Sequence, residues 1–132
     1  MAIAFLLDNT YKDVHDLLSE AKNYIKFVLP NLRQNARVQD RLAMTYHATR
    51  LTSRLLEMMS WLLAQRAVQK GEMTSEDATA MGFTITNDDI CRFQEEEAAE
   101  TLPDGLRILL KRSNDIYVRL GRLDAQMKRA VA

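Results

Sequence analysis

A chain of 132 residues, 47% hydrophobic and 27% charged, has material for one domain with a real core and is too apolar to remain disordered. Its 18 Lys+Arg balance 18 Asp+Glu, which removes the general electrostatic case for a nucleic-acid or anionic membrane partner. The lone Cys91 excludes an internal disulfide and fits a reducing compartment, while no apolar run approaches the roughly 20 residues of a membrane span.

The N-terminal MAIAFLLDNT lacks the basic region of a secretory signal, so a cytoplasmic protein is expected. With only 4 glycines and 2 prolines, and a rich supply of Ala, Leu, Met, Arg, Glu and Gln, the chain is expected to be all-α. The spacing predicts a first helix over 10–28. Asn9 or Thr10 is expected to cap it, and Asp13 places negative charge at its positive end. Tyr11, Val14, Leu18 and Ile25, flanked by Leu17, Ala21 and Val28, form its apolar face. Pro30 is expected to close the segment.

A second, longer helix is predicted over 35–70 and should end at Gly71, which takes the left-handed cap without strain. Met44, Ala48, Leu51, Leu55, Leu56, Met58, Met59, Leu62 and Leu63 fall on one wide arc. Residues 71–101 make a long connection with helical pieces of its own. Thr74 or Ser75 is expected to cap a short helix over 76–81. Asn87, Asp88 and Asp89 offer a second cap, followed by Ile90, Phe93 and the acids Glu95, Glu96 and Glu97. That acidic run reads first as a solvated segment and second as a docking strip for a basic partner. A third helix is predicted over 103–128, with a stripe through Leu102, Leu106, Leu109, Leu110, Ser113, Ile116, Tyr117, Leu120, Leu123 and Met127.

Three helices with one apolar face each imply a three-helix bundle, a single domain over 1–132, with a long, partly helical connection between the second and third. The short first connection makes helices one and two antiparallel. An up-down-up order is expected for the third.

No constellation for catalysis, cofactor or metal emerges. His15 and His47 lack ligand-type partners at helical spacing, and there is no Cys-x-x-Cys. Cys91 follows Asp88 and Asp89, which raise a thiol pKa rather than lower it. The glycines are isolated, so no phosphate-cradling loop exists. Two features of the second helix stand out. Arg41 and Arg66 point toward its apolar arc; Arg66 either lays its stem over the core or forms an ion pair across to the first helix, with Asp13 the expected partner and Tyr11 nearby. Trp61 lies off the arc on a flank with Arg54, Gln65 and Val68. It either anchors a protein contact or lies under the 71–101 connection, and Arg54, Trp61, Gln65 and Val68 are the expected partner-binding residues.

The segment LTSRLLEMMSWLLAQRAVQKGEM, residues 51–73, resembles the signature of the alphaproteobacterial regulator of CtrA degradation family, RcdA, and LPDGLRILLKRSNDIYVRLGRLD, residues 102–124, resembles its third helix. The resemblance implies a homodimeric three-helix bundle. It implies an adaptor in regulated proteolysis by ClpXP, working beside a CpdR-like response regulator on cell-cycle substrates such as CtrA. Members of that family can carry a longer flexible tail than the few residues that follow the third helix here. The expected function is thus a non-enzymatic adaptor. The alternative class is a small helical transcription-associated regulator or DNA-binding accessory protein, against which stand the neutral charge and the want of a short helix-turn-helix pair.

Overall fold

A computed structural model describes residues 2–85 and 102–131 of the chain. Among those residues are five α-helices, α1 (Ala2–Asn23), α2 (Leu29–Gln34), α3 (Val38–Gln69), α4 (Ser75–Ala80) and α5 (Asp104–Val131), and no strand. A π-helical segment, Tyr24–Val28, joins α1 to α2.

The first helical stretch starts earlier than its sequence signals indicate and, through the π-helical turn and α2, runs on past residue 28 to Gln34. Leu7 continues the apolar spacing of Val14, Leu17 and Ala21, and all four are buried. Thr10 does not cap; its hydroxyl donates back to the Leu6 carbonyl at 2.8 Å, in mid-helix. Pro30 does not end the segment either. Proline removes one amide and crowds the carbonyl four residues back. The chain absorbs this by widening one turn: the Leu29 amide reaches the Tyr24 carbonyl, five residues back, and Pro30 lies at the start of α2. The turn into α3 is therefore only residues 35–37.

α3 is 32 residues long and ends as its glycine dictates. Gly71 has φ 77°, the Gly71 amide donates to Val68 O and the Glu72 amide to Ala67 O, the paired bonds of a Schellman cap. The same device at Gly82 (φ 87°) closes α4, which opens on the Thr74 hydroxyl accepting the Asp77 amide at 3.0 Å. The second expected cap at Asn87, Asp88 and Asp89, together with Ile90, Cys91, Phe93 and the acids Glu95, Glu96 and Glu97, lies outside the described residues.

The order of the bundle is up-down-down, not up-down-up. α1 opposes α3, since Asp8 pairs with Arg66 near one end and Arg33, in α2, donates to Thr45 near the other. α1 also opposes α5: Glu20 pairs with Arg112 and Asp13 with Arg119, while Tyr24 lies against Gly105. α3 and α5 run parallel, because Arg54 meets Leu110 and Ser113 while Gln65 shares a cleft with Asp124 and Met127. A parallel pair demands a connection long enough to return along the helix. Here the Ile85 amide is held by Asp124, late in α5, and Leu102 is buried at its beginning, about 30 Å away by helical rise. The connection that looked long enough for either orientation is used for the more demanding one.

The core collects Leu7, Val14, Leu17, Leu29, Leu51, Leu55, Met58, Trp61, Leu62, Leu106, Leu110, Tyr117 and Leu120 among others. On α5 the expected stripe is the observed one. On α3 it is displaced by about 60° around the axis: Leu56 and Leu63 are exposed, while Arg54, Trp61 and Gln65 are buried. Two neighbours, α1 and α5, divide the buried side of α3 between them, and the α5 half carries an arginine, a tryptophan and a glutamine.

Candidate interaction surfaces

The four residues expected to bind a partner form one strip of α3, but not an open one. Arg54 is 0% exposed, Trp61 1% and Gln65 7%, with Val68 half-buried. Arg54 Nη1 donates to the Leu110 carbonyl at 3.1 Å and to Ser113 Oγ at 2.7 Å, and its guanidinium stands 5.9 Å from the centre of the Tyr117 ring. Ser113 passes its own proton to Leu110 O at 2.8 Å. Carbonyl and hydroxyl oxygens thus receive the protons of Nη1, as a buried cation requires. The open surface expected at Arg54 and Trp61 is thus corrected to an internal seam. Polarity concealed it: an arginine in a helical repeat reads as solvent-facing unless its acceptors on the neighbouring helix are known.

Arg66 forms its crosswise ion pair with Asp8, Nε to Oδ1 3.6 Å, instead of Asp13. Its guanidinium also covers the Tyr11 ring, 4.6 Å from the centroid. Asp13 faces α5 and Arg119 at 3.8 Å. Extending α1 toward the N-terminus places Asp8, not Asp13, opposite the end of α3. Arg41 is exposed. His15 stacks near Tyr11, ring centroids 6.2 Å apart, and His47 meets Tyr46 edge-on at 5.1 Å. No group of three or more His, Cys, Asp or Glu among the described residues is placed to hold a metal ion. No described helix is long and apolar enough to cross a membrane.

Two open surfaces stand out among the described residues. The first is the back of α3, turned away from α5. Val38, Leu42, Tyr46, Leu56 and Leu63 are 49–66% exposed there. Between them lie the exposed Thr49, Ser53 and Ser60. The Thr49 hydroxyl is spent on Thr45 O at 2.9 Å and that of Thr52 on Ala48 O at 3.0 Å, which leaves the strip poorer in free hydrogen-bonding groups than its composition implies. Beside it, between α2 and α3, is a recess of about 280 Å³ against Ile25, Leu29, Thr45, Thr49 and Ser53. The alternating three- and four-residue spacing of this strip was present in the sequence; the stronger arc beside it hid the signal.

The second surface is a cleft of about 640 Å³ at the end of the bundle where α3 and α5 finish and α1 begins. Ile3, Gln65, Gln69, Thr79, Asp124 and Met127 line it. Asp124 is 5% exposed and is held by the Ile85 amide and Lys128 Nζ, both at 3.2 Å. A cleft with a few fixed polar groups among apolar surface can take a short segment or small ligand. Gln65 is the one residue of the expected set that reaches this open space.

The described residues thus form a small α-helical bundle with an exposed apolar helix face and an end cleft. The chain belongs to the RcdA family: a family model described as "Protein of unknown function (DUF1465)" matches residues 1–132. The crystal structure of RcdA from Caulobacter crescentus CB15 is similar to it at 33% identity and a TM-score of 0.73, covering 92% of this chain and 91% of that one. No curated protein matches the sequence.

Proposed function

We propose that this protein is a non-enzymatic adaptor that joins a substrate to the ClpXP protease in the cytoplasm, beside a CpdR-like response regulator, with cell-cycle regulators such as CtrA among the substrates. The similarity to RcdA along nearly the whole chain carries this reading. The physical logic of an adaptor is effective concentration: two modest contacts on one rigid body make delivery far faster than chance encounter. Separate surfaces support it, since the back of α3 and the end cleft leave room for two contacts at once. Gln65 and its neighbours around the cleft are the proposed partner contact. The adaptor is proposed to act as a homodimer.

A direct test is retention of the purified protein on immobilised ClpX preloaded with the CpdR-like regulator. Retention that requires both components is expected. Equal retention on bare matrix, or none on the loaded matrix, contradicts the adaptor reading.

A further inference from the structure

We infer that the end cleft takes a lysine side chain from an apolar segment of a partner polypeptide, its ammonium received by Asp124 and Gln65. The inference rests on the partner contact proposed above for Gln65 and its neighbours and adds the chemistry of the segment that fills it.

Two nearly buried polar groups line the cleft with bonding capacity left over. Asp124 is 5% exposed, and the Ile85 amide and Lys128 Nζ both meet it at Oδ2. Oδ1 is the oxygen left for a donor from outside. Gln65 is 7% exposed, and no described residue forms a hydrogen bond with its side-chain amide. Burying such groups unsatisfied costs free energy, which a ligand supplying the missing donor recovers. Gln69, one turn further along the same face of α3, lines the cleft as well.

The lining also selects the sign of the ligand. Among the lining residues Asp124 and Glu76 bring two carboxylates, and Lys128 brings one ammonium that is already engaged at 3.2 Å. An anion would meet the excess of like charge, whereas a cation finds acceptors at Asp124 Oδ1 and the glutamine carbonyls. Of the two basic side chains, lysine fits better. A guanidinium gains most from a fork onto both oxygens of a carboxylate, and here Oδ2 is taken twice. An ammonium is a compact charge whose three donors need no common plane.

The remaining surface suits what carries such an ammonium. Ile3, Ala80 and Met127 offer apolar contact to a lysine stem, and a methionine adjusts to the shape that enters. Apolar surface continues outward at Leu6, one turn from Ile3 on α1 and 43% exposed. A cleft of about 640 Å³ has the size of a site for a ligand larger than one side chain. The lysine therefore arrives with apolar neighbours on a chain and not as a free amine.

The test titrates the isotope-labelled full chain with the end-capped peptide Gly-Leu-Lys-Leu-Gly and follows its resonances by NMR. Those of Met127, Asp124 and the Gln65 side chain are expected to shift together with one dissociation constant. Norleucine in place of lysine keeps the stem without the charge and should weaken binding at least about tenfold; arginine should bind less tightly than lysine. Asp124→Asn should weaken the lysine peptide at least about tenfold, and the exposed Glu76→Gln about threefold, with helix content by circular dichroism retained. If Asp124→Asn does not fold, Glu76→Gln and the norleucine peptide still decide. Equal binding of the norleucine peptide, tighter binding with arginine or glutamate at that position, shifts confined to residues away from the cleft, or putrescine as tight as the peptide overturns the inference and leaves the adaptor reading standing. A chain that binds the lysine peptide as expected but is not retained on loaded ClpX overturns the adaptor reading and supports the cleft.

Discussion

Arg54 of α3 donates a 2.7 Å hydrogen bond to Ser113 of α5, and both residues are completely buried. A guanidinium is expensive to desolvate, so its position is set by oxygens that can receive its protons. Those oxygens lie on Ser113 and on the Leu110 carbonyl one turn before it. The pair therefore holds two parallel helices in one longitudinal register, which apolar contacts alone specify less sharply.

Arg54→Ala should cost about 3 kcal/mol of folding stability, since it empties a packed site and strands its acceptors. Ser113→Ala should cost about 1–2 kcal/mol. Urea denaturation of the two single variants and the double variant measures both, and a coupling of at least about 1 kcal/mol is expected. Additive effects show that the two residues do not act together.

Trp61→Ala should behave as a core truncation and not as the loss of an exposed anchor. The ring is 1% exposed and belongs to the central cluster. A loss of about 3–5 kcal/mol is expected by thermal or urea unfolding. A variant as stable as the parent but weakened in partner binding returns Trp61 to the surface role that its sequence position implied.

Trp61 also marks where sequence reading stops. Helix content, the α5 stripe, the Gly71 cap and the Thr74 cap were legible, because each depends on side chains within one turn of one another. The partner of Arg66 was nearly legible, one and a half turns of α1 away from the residue expected. The face of α3 that meets α5 was not. Its Arg54, Trp61 and Gln65 are polar or amphipathic, and for Arg54 it is acceptors brought by a distant helix that make burial favourable. The direction of α5 was equally hidden, since a connection of this length permits both. The Tyr24–Val28 turn is a local answer to Pro30, yet proline is as often a terminator as a kink.

Gly105→Ala should destabilise the fold although alanine is the better helix former. A Cβ at residue 105 would stand 3.0 Å from Tyr24 Cζ and 3.1 Å from its hydroxyl. The propensity gain of about 1 kcal/mol is smaller than the overpacking cost of about 1–3 kcal/mol. In a Tyr24→Ala background the sign should reverse, so that Gly105→Ala raises the melting temperature. A loss in both backgrounds rejects contact with the ring as the cause.

Tyr24 should make the fold sensitive to alkali. Burial raises its hydroxyl pKa above the ordinary value, the Leu106 amide lowers it in part, and the Asp104 carboxylate adds to the rise. The unfolded chain then loses this proton first, at a pH of about 10, so the unfolded state binds fewer protons there and stability falls as pH rises. Denaturation midpoints across that range should fall more steeply for the parent than for Tyr24→Phe. Identical slopes contradict the assignment.

The adaptor role proposed above is delivery without chemistry. Its most direct measurement is the initial rate of degradation of a CtrA-like substrate by purified ClpXP with the CpdR-like regulator, with and without this protein. The account predicts a faster rate that rises with adaptor concentration and then falls when excess adaptor holds substrate and protease apart. A rate unchanged at every adaptor concentration, with the protein folded and the protease active on a tagged control, contradicts it.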